Sequence, residues 1–386
     1  MGKYVNESSF EVAKETAKRI SEVRHGKMNE NGFHMEMPSL IGLKLTDRCN
    51  LRCKHCYEWS EHGYYSQRGN PGGCTEIGLD VIKKIISETR KNKAGLYLWG
   101  GEPLCYSHFE TLAELIEKEE RQCVICTNGM LIPDKLDLLL KIGRNLEVLI
   151  AMEGFEEEND AIRGPGVFQK IMEAIRVLLE ARKEGVFHGK ITIHTVINHN
   201  NFSKLYEYAQ FVQGLGVDSL ILCFPWYISD ESEQLMECCI KEKFSWLVVP
   251  DGYRSWKSFK YGLPSEAADQ IYEQLCMIHN NPWTFNVRYF PKVEREMLKD
   301  FIKGKATQMG SPARCNSISM RMDVMEDGTV TTCKHFKEFM VGDLNKSSVY
   351  EIWNSKEYNK IRQIMDEGLM PVCSQCNNFY LHSGKH

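Results

Sequence analysis

Leu40-Ile41-Gly42-Leu43-Lys44-Leu45-Thr46-Asp47-Arg48-Cys49-Asn50-Leu51-Arg52-Cys53-Lys54-His55-Cys56-Tyr57 is the stretch from which the rest of the chain can be read. Its first half is an apolar run that reads as a buried strand. Its second half puts three cysteines at the spacing CxxxCxxC in the segment leaving that strand. Three thiolates suit a cubane iron–sulfur cluster, which normally takes four Cys ligands. One iron is then left open to bind and activate a small molecule, as an open zinc site does. The plainer alternative is three cysteines on one face of a core helix. Asn50, Arg52, Lys54 and His55 make a poor core segment, and Cys is scarce.

Downstream of this stretch, strand and helix patterns alternate to about residue 224. Strands are expected at Ile41–Thr46, Gly95–Trp99, Gln122–Cys126, Leu146–Ala151, Lys190–Ile197 and Asp218–Phe224. Helices are expected at Ile77–Arg90, at Ser107–Glu120 behind a capping box Ser107-His108-Phe109-Glu110, from Pro133, at Val167–Lys183 and at Asn201–Leu215. Such alternation predicts parallel strands with right-handed crossovers, as an open doubly wound sheet or a full or partial barrel. In either case the site lies at the C-terminal strand ends, where the cysteine loop falls.

Residues 225–310 break the rhythm and are rich in aromatics. Helices are expected there at Ser232–Trp246, Ser265–His279 and Val293–Lys303, with one strand at Phe285–Phe290. This segment is expected to bridge two domains and to line a pocket. Residues 1–38 read as a peripheral helix near Phe10–Val23 followed by a loop. Residues 311–386 read as a second cysteine-bearing unit with a hairpin across Met320–Met325 and Thr329–Cys333 and a helix behind the capping box Ser348-Val349-Tyr350-Glu351. The expected division is therefore 1–38, 39–224, 225–310 and 311–386.

The chain has 386 residues, a formal net charge of −4 and mixed charges along its length, which gives no sign of nucleic acid or a membrane as partner. No run approaches the roughly 20 apolar residues of a membrane span. Fifteen cysteines and an N-terminus without an apolar signal core point to a reducing, cytoplasmic setting, where clustered Cys means metal or catalysis.

Directly after the second expected strand comes Trp99-Gly100-Gly101-Glu102-Pro103. Two glycines permit close backbone approach by a ligand, Glu102 is an acceptor for an amino group, and Pro103 stiffens the turn. The pair CNLRCKHCY and WGGEP resembles the radical S-adenosylmethionine (SAM) superfamily. The resemblance implies a partial (β/α)6 TIM-like barrel and a [4Fe-4S] cluster on Cys49, Cys53 and Cys56. It places Tyr57 near the adenine and Gly100, Gly101, Glu102 and Pro103 at the methionine amino group. Thr127-Asn128-Gly129 resembles the turn after the third strand of many members. It also implies a flavodoxin- or ferredoxin-type electron donor. SAM chelates the open iron, and its reductive cleavage gives a 5′-deoxyadenosyl radical that abstracts a substrate hydrogen.

After the fourth strand many relatives carry Ser-x-Asp-Gly, where this chain has Ala151-Met152-Glu153-Gly154, so the serine hydroxyl is absent and the acid is longer. Arg163 resembles a family arginine that meets the SAM carboxylate. On the fifth strand Thr192, His194, Val196 and Asn198 share one face by the period-2 rule, opposite Ile191, Ile193 and Ile197. His194 and Asn198 are thus expected to look into the barrel, Asn198 as a SAM contact. His194 and Glu153 are candidates for catalysis; a structural role is the alternative for His194.

Cys315, Gly328, Cys333 and Cys373-Ser374-Gln375-Cys376, with Val341-Gly342-Asp343-Leu344 and Glu351-Ile352-Trp353, resemble the SPASM/twitch extension of the same superfamily. The resemblance implies an auxiliary [4Fe-4S] cluster on Cys315, Cys333, Cys373 and Cys376 in a small α+β unit, in the shorter twitch-like form. A structural zinc at the same four thiols is the alternative, as is His382 or His386 as a ligand. Four thiolates close a cluster's coordination, which suits electron transfer. The remaining cysteines lack ligand spacing and read as small buried hydrophobes, except that Cys238 or Cys239 is placed to return a hydrogen atom to a substrate radical.

The leading expectation is a radical SAM oxidoreductase that oxidises a small metabolite, for example an alcohol or an amino sugar or cyclitol, with the auxiliary cluster as electron acceptor. A redox-neutral radical SAM epimerase, dehydratase, decarboxylase or peptide maturase is the second. A non-catalytic metal-binding electron-transfer protein is the third.

Overall fold

A computed structural model describes residues 34–67, 74–247, 254–305 and 315–383. The helix expected near Phe10–Val23, the side chain of His382 and the tail His386 lie outside the described residues.

Ten strands form one sheet in the order β10-β9-β8-β1-β2-β3-β4-β5-β6-β7. They are β1 Leu40–Lys44, β2 Gly95–Trp99, β3 Cys123–Thr127, β4 Leu146–Ala151, β5 Lys190–Val196, β6 Ser219–Cys223, β7 Asn286–Phe290, β8 Arg321–Val324, β9 Thr329–Thr331 and β10 Met340–Asp343. β1 to β7 pair in sequence order and all in parallel. This is the partial (β/α) barrel expected from the alternation, left open between its edges.

Each crossover carries a helix whose apolar stripe packs on the outer sheet face. Examples are α1 Leu79–Glu88, α2 Phe109–Lys118, α3 Leu136–Ile142, α4 Glu156–Arg163, α5 Val167–Lys183 and α6 Leu205–Leu215. Ile41, Leu43 and Leu45 of the first strand segment, with Ile82 and Ile85 of α1, are wholly buried in that outer layer. Leu40, Gly42 and Lys44 alternate to the inner face, so Lys44 is the first polar side chain the sequence sends into the barrel.

The structure extends the expectations in three places. The strand expected at Phe285–Phe290 joins the sheet as a seventh parallel strand. β8 pairs in parallel with β1, so the C-terminal cysteine unit continues the barrel sheet and does not form a separate layer. α4, rich in Glu and Asn, was not read from the sequence and carries Arg163 to the site.

Two capping boxes were expected and one forms. Ser348 caps α10 Val349–Trp353 with Glu351, and α11 Lys356–Glu367 restarts at Ser355. Ser107 instead donates to Glu76 through its backbone N–H and hydroxyl, and α2 begins after His108 without a side-chain cap. α7 Asp230–Lys243, α8 Ala268–Asn280 and α9 Arg295–Ile302 complete the middle segment.

Candidate functional site

The stretch Cys49–Tyr57 is a run of turns with no helix, which removes the core-helix reading. The backbone holds it in place: Cys56 N–H donates to Cys53 C=O at 3.1 Å and Lys54 N–H to Ile162 C=O, at the end of α4, at 3.0 Å. The thiols of Cys49, Cys53 and Cys56 are free. Burial pushes the Cys56 thiol up to about 12 and raises Cys49 and Cys53 as well. Iron loading here therefore releases protons.

The loop after β2 is laced to this stretch. Gly101 N–H donates to Thr46 C=O at 2.8 Å and Glu102 N–H to Arg48 C=O at 2.7 Å. A Cβ at Gly101 would stand 2.3 Å from Arg48 O, and one at Gly100 2.4 Å from Thr46 O. The glycines are required by the approach of one loop to the other. The Glu102 carboxylate is likewise committed to the chain: it accepts from Leu104 N–H at 3.0 Å, Thr127 Oγ1 at 2.7 Å and Asn128 N–H at 2.8 Å. Asn128 in turn donates to Asn50 Oδ1 at 2.7 Å. Glu102 thus pins the ends of β2 and β3 to the cysteine loop, and its side chain has little left for a ligand amine. Pro103 opens a 3-10 turn beneath it.

Glu153 follows β4 and is fully buried. Its Oε1 receives Arg163 Nη2 at 2.5 Å and His55 Nε2 at 2.9 Å, and its Oε2 receives Val196 N–H at 2.6 Å. Burial pushes its carboxyl up, but Arg163 and His55 outweigh this and hold it at about 2. Arg163 also donates from Nη1 towards Cys53 Sγ at 3.7 Å, while its buried Nε has no partner among the described residues. Arg163 is therefore poised between a carboxylate of the chain and the cysteine loop. His194, on β5, has its imidazole pushed down to about 4 by burial, against the raising effect of Glu153. It is neutral at pH 7. Asn198 is spent on its own turn, its Nδ2 donating to Val196 C=O at 3.0 Å and its Oδ1 accepting from Asn200 N–H at 2.9 Å.

Cys315, Cys333, Cys373 and Cys376 line one cavity together with Trp226 and His335. None of the four is joined in a disulfide among the described residues. Among the described residues no three His, Cys, Asp or Glu side chains stand close enough to hold a single metal ion. Four thiols around one cavity are a donor set of the kind an iron–sulfur cluster uses. Three thiols in one loop and four around one cavity are donor sets that fit the two [4Fe-4S] clusters. The two sets face each other through aromatics. Tyr57 stacks on Phe259 at 4.7 Å and meets the His335 ring edge-on at 5.8 Å, and His335 lies 3.6 Å from the Trp226 ring.

Cys238 and Cys239 are on α7, exposed and half-buried respectively, and neither lines the four-cysteine cavity. The structure instead brings in groups the sequence reading passed over. Lys334 spans the rings of Tyr97 and Trp99 at 4.6 Å from each. Lys44, Glu58, Tyr65, Glu326 and Lys337 form a buried polar network between the cysteine loop and the β8–β9 turn. The readable signal was Lys44 itself, a charge inside an apolar strand run.

Comparisons with known proteins agree with this geometry. The radical SAM superfamily matches residues 43–212 and the SPASM iron-sulfur cluster-binding domain matches residues 315–377. The tungsten-containing aldehyde ferredoxin oxidoreductase cofactor-modifying protein of Pyrococcus furiosus is 23% identical over 341 residues, 87% of this chain and 86% of that protein. The AdoMet-dependent heme synthase of Methanosarcina barkeri is 25% identical over 348 residues, 88% of each. The antilisterial bacteriocin subtilosin biosynthesis protein AlbA of Bacillus subtilis is 22% identical, covering 88% of this chain and 65% of that protein. Among solved structures, Streptococcus suis SuiB bound to precursor peptide SuiA superposes with a TM-score of 0.59 at 13% identity, over 94% of this chain and 73% of that one.

Proposed function

We propose, for a chain that belongs to the radical SAM superfamily and carries a SPASM iron–sulfur domain, a two-electron oxidation of its substrate with the four-cysteine site as acceptor of the second electron. The single observation behind this is the four thiols around one cavity, across an aromatic contact from the three-cysteine loop. Cys49, Cys53 and Cys56 would hold the SAM-binding [4Fe-4S] cluster, and Cys315, Cys333, Cys373 and Cys376 the auxiliary one. When bound and reduced, the first cluster with SAM supplies a 5′-deoxyadenosyl radical that removes a substrate hydrogen.

The chain's own residues supply positioning and dryness. Gly101 and Glu102 fix the β2 loop against the cysteine loop, and Arg163 offers a guanidinium beside Cys53 with one unpaired N–H for a carboxylate. Tyr57 is stacked on Phe259, and Tyr261 sits edge-on to both His55 and His199 at 5.9 and 5.6 Å. Neutral His194 is competent to accept a proton from a substrate on the inner face of β5. The relatives' names give no support to an alcohol or amino sugar in particular, so the substrate class is a small molecule or peptide with an oxidisable C–H bond.

A second reading, a redox-neutral or peptide-maturing reaction, is favoured by the similarity to AlbA over most of the chain. Anaerobic reconstitution with dithionite and SAM, followed by chromatography for 5′-deoxyadenosine, tests the common core: its absence refutes a radical SAM enzyme of either kind. With substrate in hand, oxidised product without solvent deuterium supports the first reading. Deuterium in a product at the substrate's oxidation level supports the second.

A further inference from the structure

Among the described residues, the cations of the interior are matched almost one for one. Lys44 faces Glu58 and Glu326, Arg163 faces Glu153, and Arg321 is bidentate on Asp323. Arg121 donates to the carbonyls of Ile86 and Ala94, and Arg362 to those of Ile318 and Trp353. Lys337 is paired with Glu326. Lys334 is different. Among the described residues its ammonium meets two aromatic faces, Tyr97 and Trp99, and no carboxylate or carbonyl within hydrogen-bond reach.

The two nearby acids are already committed. Asp323 holds Arg321, whose guanidinium lies on Tyr97 at 4.9 Å, and Glu58 holds Lys44. A Cβ at Gly42 would lie 2.0 Å from Asp323 Oδ1, so the Arg321–Asp323 pair fills the barrel over β1 and forms a floor. Lys334 lines the four-cysteine cavity and also the cavity between Tyr57, Glu58 and Lys337. It is therefore a cavity-lining cation between the two cysteine sites that no carboxylate of the described residues binds directly. Lys334 is half-buried, and its ammonium lines the cavity with two ring faces beside it, open to an anion.

We infer that Lys334 is the anchor for a carboxylate of the substrate. This rests on the reading of the barrel as the reaction site. A carboxylate would pair with this ammonium, while Tyr97 and Trp99 offer an apolar floor to the carbon skeleton beside it. Arg163, beside the cysteine loop, remains a separate cationic group held by Glu153. The substrate class becomes a carboxylic acid, free or as a peptide side chain or C-terminus.

The test uses small anions on the anaerobically reconstituted enzyme and needs no turnover. Formate, acetate and benzoate are titrated by calorimetry and by Trp fluorescence, with benzamide as the uncharged control, into wild type, Lys334→Met and Lys334→Arg. The expected result is binding of at least one carboxylate to wild type and Lys334→Arg, at least tenfold weaker binding to Lys334→Met, and none of benzamide. Equal affinity in all three proteins overturns the inference, as does the absence of binding to wild type. Inorganic phosphate bound in preference to every carboxylate overturns the assignment of the anion. Loss of iron from Lys334→Met overturns it too, because the lysine would then serve the cluster's charge. Formation of 5′-deoxyadenosine without substrate is measured separately: its absence in wild type refutes the radical reading and leaves the anion result to stand or fall alone.

Discussion

Replacing Glu326 by Gln removes one charge from a buried set of four. Glu326 sits in the turn between β8 and β9 with its side chain 7% exposed. Its Oε1 accepts from Lys337 Nζ at 2.5 Å and from the Tyr65 hydroxyl, and its Oε2 lies 3.6 Å from Lys44 Nζ. Lys44 also binds Glu58 and the Tyr65 hydroxyl. Two lysines thus face two glutamates, and the variant leaves two ammonium groups facing Glu58 alone.

Breaking a buried pair by removing one partner costs about 3–5 kcal/mol. Gln keeps the shape and one acceptor for Lys337, so the lower end, about 3 kcal/mol, is expected. The assay is guanidinium unfolding under anaerobic conditions at pH 7, compared with wild type at equal iron content. A second arm uses pH. Burial pushes the Glu326 carboxyl up, but Lys44 and Lys337 prevail and hold it well below its ordinary 4.5. Its contribution is therefore complete above about pH 4.5 and is lost as pH falls through the depressed value. Wild type should lose this increment in acid, and Glu326→Gln should lack it at every pH. A loss below about 1 kcal/mol at pH 7 would mean that water already solvates the network, and the argument fails.

Four further outcomes follow from the site. Gly101→Ala puts a Cβ 2.3 Å from Arg48 O, with backbone and no flexible side chain to give way, so a loss of about 2 kcal/mol or more is expected by thermal unfolding. Glu102→Gln keeps one acceptor but loses a charge-assisted one, which should cost about 1–3 kcal/mol and weaken SAM binding by calorimetry without altering iron content. His194, held at about 4 against an ordinary 6.5, destabilises the fold as pH falls from 6.5 towards 4, because the unfolded chain binds the extra proton first. His194→Asn should flatten that part of the stability–pH curve. Changing Cys373 and Cys376 together to Ala should lower iron from about eight to about four per chain by colorimetric assay, while 5′-deoxyadenosine still forms; iron unchanged at about eight would remove these thiols from the ligand set.

The strands were legible because each is a short apolar run closed by Gly, Pro or polar residues, and their parallel order follows from the helix between each pair. The cysteine loop was legible because ligand spacing is local. What escaped had two physical causes. α4 is mostly Glu, Asn and Asp, with Ile162 as its main apolar contact, so its amphipathic signal is short. Its C-terminal end is fixed by a side-chain turn that has no spacing signature: Asp160 accepts from the N–H groups of Gly166 and Phe168 at 2.6 and 2.8 Å. The second cause is separation along the chain. Glu153 meets His55 from 98 residues away and Tyr65 meets Glu326 from 261, distances over which no spacing rule operates. Ser107 shows the converse, a correct local signal overridden because Glu76 offered a better acceptor.

Gly100 and Gly101 carry the same lesson into function. Read alone, they invite a ligand to the backbone; in the fold their missing Cβ atoms admit Thr46 and Arg48. The β2 loop can then be positioned only if the cysteine loop is, and the cysteine loop is positioned by the bond of Lys54 N–H to Ile162 of α4, by Asn128 after β3 and by the Lys44 network. Lys44 lies on β1, and β1 is flanked by β2 on one side and β8 on the other. β8 leads into the turn that carries Glu326 and then to Cys333. Removing the C-terminal unit would strip β1 of one ladder and Lys44 of one carboxylate at once. The two cysteine sites are consequently parts of one folding unit, joined through a single five-residue strand. Damage at either end of that strand should be felt at both.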